Sequence, residues 1–347
     1  MDWDPPDGWP RIRTIESHAG GEPLRVVVGG FPDLPGEAIL EKRRHARDRH
    51  DDLRRAIMLE PRGHADMYGA LLTDPVTDDG DVGVLFTHND GYSTMCGHGV
   101  IALGVVLPET GFVDVDATDP VIRLDTPAGR VTARPRIDDG SPSSASEPRF
   151  QTVAFENVPS YVVALGETIE TESFGTVTYD LAFGGAYYAY CDASAVGLSL
   201  GDAETAELVA AGRELKRTIA ERVTIDHPGD DDMGFLYGTI FTDDPQGSGD
   251  LRNVCVFADG EVDRSPTGTG VSGHLAIRHA RDQLAPGESL PVESVIGSVF
   301  AGRIRDTTEF HGRRAVIPEI EGRAYVTGSS TFTVDPRDPF GEGFLLR

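Results

Sequence analysis

Two glycine-rich segments, roughly half a chain length apart, constrain the fold of this sequence more than any other feature. Cys96–Val100 and Thr267–Val271 both follow the pattern x-Gly-x-Gly-Val. Each is followed by small and apolar residues at helical spacing, which predicts a helix that begins at the glycines. Such an internal similarity indicates two related halves that each contribute one helix start.

The remaining sequence predicts a strand-rich α+β (mixed α/β) protein. Short alternating apolar runs that end at Gly, Pro or Asp are typical of strands. Examples of such runs are Leu24–Val28, Val82–Thr87 and Arg130–Arg134. Helical spacing is found in four stretches: Glu37–Leu53, Gly97–Leu107, Ala203–Glu221 and Gly268–His279.

The length of 347 residues suits two domains of the usual ~100–200 residues. We predict an N-terminal lobe over residues 10–150, completed by the C-terminal segment 325–347, and a C-terminal lobe over residues 151–324. The stretch 138–148 is poor in apolar residues and rich in Ser, Pro and Asp. That composition indicates a mobile loop or the boundary between the lobes.

The charge balance argues against one class of partner. Lys and Arg number 31 against 57 Asp and Glu, which gives a net charge of −26, and only Lys42 and Lys216 are lysines. A field this negative repels phosphate backbones, so we expect no nucleic acid partner. An acidic surface with few lysines indicates a halophilic protein, because molar salt screens the self-repulsion.

The sequence also argues against a membrane partner. No apolar run approaches the ~20 residues that a helix needs to cross a bilayer. The first residues, Met1–Pro6, are acidic and contain proline, unlike the positive and apolar regions of a secretory signal. We therefore expect a cytoplasmic protein.

The three cysteines favour neither a disulfide framework nor a zinc site. Cys96, Cys191 and Cys255 form no CxxC pair, and an odd number leaves one over if two are joined. Cys191 and Cys255 lie in strand-like surroundings and are expected to be structural. His64 and His88 have no second ligand at metal spacing, so we expect surface or hydrogen-bonded roles and no metal.

The two predicted helix starts suit the binding of a carboxylate. A helix N-terminus offers unpaired N–H groups and the positive end of a dipole, and glycine lets a small anion approach the backbone. If the two starts face one another, an amino-acid Cα would lie between residues 96 and 267. The same dipole should move the pKa of Cys96 below its ordinary ~8.5, so that Cys96 could act as a general base.

Two segments resemble the signature motifs of the proline racemase superfamily, which includes proline racemases, hydroxyproline epimerases and trans-3-hydroxyproline dehydratases. They are Met95–Gly99 and Asp263–Gly270. Supporting segments extend over nearly the whole chain: His18–Pro23, Pro61–Met67, Thr126–Gly129 and Phe183–Gly185. The resemblance implies a diaminopimelate epimerase-like fold of two similar lobes. Each lobe would be a strand-wrapped central helix, with the active site between the lobes, a small-molecule substrate and no cofactor.

The second motif carries Thr267 where racemases and epimerases carry a cysteine or, in some members, a serine. This threonine, together with Phe235–Ile240, resembles the trans-3-hydroxy-L-proline dehydratase subgroup. A threonine hydroxyl is far less acidic than a thiol, so it is a poor acid for the second proton transfer that racemisation needs. Dehydration can dispense with that donor, and its product would be Δ1-pyrroline-2-carboxylate.

The resemblance also implies roles for individual residues. Cys96 would be the proton acceptor, and Asp263 would hold the substrate ammonium. The substrate carboxylate and ring would be lined by Gly97, His98, Gly268 and Thr269. Thr267 would either bind the leaving hydroxyl or cap its helix.

Three other functions are consistent with parts of the pattern. A hydroxyproline epimerase or proline racemase could use threonine through a water, and a diaminopimelate epimerase shares the two-lobed plan but normally needs two cysteines. An amino-acid-binding protein would keep the carboxylate site, although binding alone requires no thiol at Cys96. The protein could also form a homodimer.

The charge imbalance predicts that this protein gains stability and activity as salt rises from dilute to molar concentration, because added ions screen the excess negative charge. Thermal unfolding and turnover measured across a salt series test this. A maximum of thermal stability in dilute buffer would contradict the halophilic interpretation.

Overall fold

A computed structural model describes residues 3–116, 118–137 and 150–346. The predicted boundary segment 138–148 lies outside the described residues. The first ten strands are β1 Arg11–Ala19, β2 Glu22–Gly29, β3 Tyr68–Thr73, β4 Val82–His88, β5 Ile122–Thr126, β6 Gly129–Ile137, β7 Phe150–Glu156, β8 Ser160–Thr171, β9 Gly175–Phe183 and β10 Tyr187–Asp192. The others are β11 Leu236–Asp243, β12 Leu251–Phe257, β13 Glu261–Asp263, β14 Ser289–Ser294, β15 Val299–Phe310 and β16 Arg313–Thr333. The α-helices are α1 Ile39–Arg49, α2 Asp51–Met58, α3 Gly97–Glu109, α4 Thr205–Arg222 and α5 Gly268–Ala280.

The strands form two closed circuits that share β16. The first circuit runs from β1 to β7 in chain order and closes through β16, which pairs with both β7 and β1. The second runs through β8, β9, β10, β11, β12, β14 and β15, and β16 pairs with both β15 and β8. Closed circuits leave few strand edges exposed to pair with other chains.

The two circuits repeat the same order of strand directions. From β1, the successive pairings are antiparallel, parallel, antiparallel, parallel and antiparallel. From β9, the pairings follow the same order. Each parallel pair requires a crossover, and a helix lies in every crossover. The repeated glycine pattern in the sequence therefore coincides with a repeated topology.

One buried helix lies within each circuit. Helix α3 packs against β1, β2, β6, β7 and β16, whereas α5 packs against β8, β9, β15 and β16. Nearly every residue of α3 is buried, as expected of a helix that is apolar on all sides. Close packing requires small residues here, because a Cβ added to Gly104 would lie 2.6 Å from Val153 Cγ1.

The predicted mixture of helices and strands is confirmed, with one difference in α1. The stretch Glu37–Leu53 is two helices rather than one, because the chain turns at His50, where φ is −139°. Helix α2 then begins with Asp51 and Asp52, whose charges suit a helix N-terminus. Among the described residues, no helix combines the length and apolar character needed to cross a membrane.

Removing side-chain volume from either buried helix should destabilise the fold strongly. Leu103 and Leu275 are fully buried in α3 and α5, so Leu103→Ala and Leu275→Ala should each lower the free energy of unfolding by about 2–5 kcal/mol. Arg217→Ala on the exposed face of α4 is the control, with an expected change within about 0.5 kcal/mol. Urea unfolding measures all three, and equal losses in the three variants would contradict this account of the core.

Candidate active site

The N-termini of α3 and α5 touch at two glycines. A Cβ added to Gly97 would lie 2.5 Å from Gly268 Cα, and one added to Gly268 would lie 2.9 Å from Gly97 Cα. Real side chains do not tolerate such distances, so glycine is required at both positions. The first N–H groups of each helix have no i−4 partner within the helix, and the contact between Gly97 and Gly268 brings the two sets close together.

A small cavity of about 10 Å³ lies beside this contact. The seven residues predicted from the sequence all line it: Cys96, Gly97, His98, Asp263, Thr267, Gly268 and Thr269. They come from opposite halves of the chain and from the starts of both buried helices. The arrangement can present backbone N–H groups, one thiol and one carboxylate to a single small molecule.

Cys96 is the residue immediately before α3, and its side chain faces the cavity. The sulfur accepts a hydrogen bond from Gly99 N–H at 3.3 Å and lies 3.2 Å from His98 Nδ1. Burial lowers the pKa of His98, so that its imidazole is neutral near pH 7 and can accept a hydrogen bond from the thiol. These contacts hold the sulfur in place at the start of α3.

The expected direction of the Cys96 pKa shift is wrong in this structure. Burial raises the pKa of the thiol well above its ordinary value. The hydrogen bond from Gly99 at the helix start opposes that shift, and so does the Tyr68 hydroxyl, but neither outweighs the cost of moving a thiolate out of water. The charge of Asp263 raises the pKa further. The helix-start effect therefore has the expected sign, and the loss of water around the sulfur is the larger effect.

Thr267 and Asp263 form one hydrogen-bonded unit. Thr267 Oγ1 donates to Asp263 Oδ2 at 2.8 Å, while Ser265 N–H donates to Asp263 Oδ1 at 2.7 Å. The threonine has a φ of 60°, a left-handed conformation that is costly for a β-branched residue. Its side chain makes no capping hydrogen bond to α5. The helix-capping role predicted for Thr267 is therefore not formed in this structure, where the hydroxyl instead donates to Asp263.

Arg264 ties this unit to the first half of the chain. Its backbone N–H donates to Glu22 Oε2 at 2.8 Å, and its guanidinium contacts the same carboxylate at 3.3 Å. It also donates to the Asp66 carbonyl at 3.2 Å. Glu22 and Asp66 belong to two of the segments on which the family resemblance depends, so these segments fix the orientation of Asp263 and Thr267.

Sequence reasoning missed several residues that complete the cavity: Tyr68, Met95, Tyr188, Tyr237, Cys255 and Phe257. Tyr237 lies in the quoted segment Phe235–Ile240, and Tyr68 directly follows Pro61–Met67, so position beside a motif was the available signal. Cys255 does lie in a strand, as expected, yet it shares the cavity with Cys96. The sequence predicted only a structural role for Cys255, because no motif in the surrounding strand indicates that it lies at the site.

The other residues considered from the sequence lie elsewhere. His64 is exposed and contacts the Ala65 carbonyl, whereas His88 is buried with Nδ1 at 3.2 Å from Glu261 Oε1. Cys191 is buried near the end of β10. No group of three His, Cys, Asp or Glu side chains in the described parts of the chain is arranged to hold a metal ion.

Known proteins resemble this chain over nearly its whole length. Residues 14–345 match the family described as proline racemase. A trans-3-hydroxy-L-proline dehydratase of Colwellia psychrerythraea is 45% identical over 97% of this chain and 93% of its own length. A 3-hydroxyproline 2-epimerase of Burkholderia multivorans is 42% identical over 97% of this chain and 98% of its own length. The crystal structure of a hydroxyproline epimerase from Agrobacterium vitis, with bound trans-4-hydroxy-L-proline, superposes with a TM-score of 0.89. It is 33% identical, over 97% of this chain and 96% of that one.

The buried environment predicts that the Cys96 thiol ionises only at alkaline pH, above the ordinary ~8.5. The ultraviolet absorbance of the thiolate, measured as the difference between wild type and Cys96→Ser during a pH titration, separates this thiol from Cys191 and Cys255. A midpoint below ~8.5 would show that the helix start outweighs burial.

Proposed function

This chain belongs to the proline racemase family, and we propose that it removes water from trans-3-hydroxy-L-proline to give Δ1-pyrroline-2-carboxylate. The observation that carries the proposal is the pair of groups at the two helix starts. Cys96 offers a proton acceptor, whereas Thr267 has no acidic proton to return to the opposite face of the substrate. The similarity to a named dehydratase at 45% identity supports the same assignment.

Substrate binding follows from the charges around the cavity. The carboxylate would be held by the backbone N–H groups of Gly97, His98, Gly268 and Thr269, where two helix dipoles also favour negative charge. Asp263 would pair with the ring ammonium. These two interactions orient the α-carbon between Cys96 and Thr267.

The chemistry begins with transfer of the α-hydrogen, as a proton, to the Cys96 sulfur. The electron pair of the broken C–H bond forms the C2–C3 double bond, and the C3–O bond breaks as the hydroxyl takes up a proton from an acid in the cavity and leaves as water. The enamine that results tautomerises to the cyclic imine, moving a proton from nitrogen to C3. The substrate ammonium and the backbone N–H groups would stabilise the charge that develops on the carboxylate side.

The division of the chain into two lobes is also part of this proposal. Residues 10–150 with 325–347 would form one lobe and residues 151–324 the other, with the active site between them. The repeated strand order around α3 and α5 supports such a division, as does their contact at Gly97 and Gly268. A cytoplasmic location and a homodimer remain predictions, and light scattering of the purified protein tests the dimer.

Epimerisation at the α-carbon is a second candidate function. Cys255 lines the cavity together with Cys96, so a second thiol is present despite the threonine at 267, and a relative at 42% identity is named an epimerase. If wild-type protein inverts the α-carbon, Cys255→Ala should abolish inversion and leave water elimination in place. Loss of both activities in that variant would count against a separate role for this thiol.

Replacing the proposed base should abolish turnover without unfolding the protein. Cys96→Ser keeps the shape of the side chain but supplies no base at accessible pH, so imine formation should fall by at least ~10²-fold. Cys191→Ala removes a buried cysteine away from the cavity and should keep its activity. Circular dichroism verifies both folds, and near wild-type turnover in Cys96→Ser would remove Cys96 from the mechanism.

Supplying a thiol at residue 267 should create epimerase activity. Thr267→Cys should invert trans-4-hydroxy-L-proline, which has no 3-hydroxyl to eliminate, whereas wild type should not. Thr267→Val keeps the branched shape without any exchangeable proton and is the matched control. Chiral chromatography measures the products. If wild type inverts as fast as it dehydrates trans-3-hydroxy-L-proline, epimerisation replaces dehydration as the proposed function.

A further inference from the structure

The stereochemistry of the proposed substrate restricts where the acid for water departure can lie. In trans-3-hydroxy-L-proline the hydroxyl and the carboxylate occupy opposite faces of the ring. The α-hydrogen lies opposite the carboxylate, and therefore on the same face as the 3-hydroxyl. A base that removes this hydrogen approaches from the face on which the hydroxyl departs, so the proton donor must lie on the Cys96 side of the cavity.

Thr267 does not meet this requirement. In the proposed binding mode it flanks the α-carbon from the side opposite Cys96, and its hydroxyl proton is engaged with Asp263 at 2.8 Å. Cys255 lies in β12, which pairs with the strand that carries Asp263, and its thiol interacts with the Thr267 side chain. The acid must come from the groups packed around Cys96.

The buried Tyr68 lies on that side, next to His98 of α3, and is paired with Tyr237 from β11. Tyr68 and Tyr237 both line the cavity, and their hydroxyl oxygens are 3.0 Å apart. The Tyr68 ring also packs edge-on against His98, with 4.8 Å between ring centroids. Two hydroxyls carry two protons, and the bond between them uses only one. The second proton is available to the neighbours of the pair, Ser93 and Cys96, or to a bound substrate.

The electrostatic surroundings keep these hydroxyls protonated. Burial raises the pKa of both Tyr68 and Tyr237 well above ~10. Negative charge on Cys96 raises both further, so the pair holds its protons while Cys96 is a thiolate. The Tyr68 hydroxyl in turn lowers the pKa of the Cys96 thiol, against the larger effect of burial. Donor and base are thus in contact.

The geometry points to Tyr68 as the acid that protonates the departing 3-hydroxyl, with Tyr237 as its hydrogen-bond partner. This inference rests on the proposed dehydration. As the α-proton moves to the Cys96 sulfur, the phenol proton of Tyr68 moves to the leaving oxygen and completes a water molecule. The proton held by Cys96 then returns to Tyr68, which restores both residues. Substrate loses one water, and the enzyme is unchanged.

Tyr68→Phe tests the assignment by separating C–H cleavage from C–O cleavage. In deuterated water, exchange of the α-hydrogen of recovered trans-3-hydroxy-L-proline should stay within a few-fold of wild type, because Cys96 remains. Imine formation should fall by about 10²–10⁴-fold, the usual contribution of a general acid. Parallel loss of exchange and elimination, or unchanged elimination, would overturn the role of Tyr68.

A substrate with a different leaving group provides a second measurement. Fluoride is a far weaker base than hydroxide and needs little proton transfer to depart. Tyr68→Phe should therefore eliminate fluoride from trans-3-fluoro-L-proline at a rate near that of wild type. Failure to do so, in a folded variant that still exchanges the α-hydrogen, would contradict acid catalysis by Tyr68.

The chain offers a matched control for the loss of a buried tyrosine pair. The hydroxyls of Tyr161 and Tyr187 are 2.6 Å apart, and neither residue lines the cavity. Tyr161→Phe should keep both exchange and elimination. Tyr237→Phe should lose less elimination activity than Tyr68→Phe, and a greater loss would assign the donor to Tyr237 instead. If wild type eliminates no water, the proposed function fails, whereas a failure confined to the tyrosine variants affects only this inference.

Discussion

The contact between Gly97 and Gly268 is the constraint on which the site depends. Neither position has room for a Cβ, so the backbones of two helix starts meet directly. Their unpaired N–H groups are thereby concentrated in one place, where side chains would otherwise intervene. In the proposed binding mode, a carboxylate bound there would receive hydrogen bonds and dipole effects from both helices. The residues before these glycines, Cys96 and Thr267, would then lie on opposite sides of the substrate.

The same close packing removes water, and this changes the chemistry of each polar group. The Cys96 thiol becomes harder to ionise, the His98 imidazole stays neutral, and the tyrosine hydroxyls keep their protons. Hydrogen bonds in such surroundings are stronger than in water. A base with a raised pKa is also a stronger acceptor once it has ionised. The cavity therefore suits removal of a weakly acidic α-hydrogen.

The strained backbone of Thr267 is held by hydrogen bonds from neighbouring residues. The left-handed backbone of Thr267 is held by Asp263 and Ser265, and Arg264 fixes this segment to Glu22 and Asp66 from the other half of the chain. Several independent contacts of this kind allow an unfavourable backbone conformation to persist. The two halves of the chain are in this way joined at the point where the substrate would bind.

The sequence by itself determined the class of fold, the starts of both buried helices and seven residues of the cavity, because glycine clusters and signature motifs are local features. Tertiary structure decided the rest. The direction of the Cys96 pKa depends on how much water remains around the sulfur, and the orientation of the Thr267 hydroxyl depends on Asp263. Tyr68, Tyr237 and Cys255 reach the cavity from separate strands, and the only local signal was that the two tyrosines lie within or beside motif segments. Burial and contacts between distant strands arise only when the chain closes its two circuits around the helices.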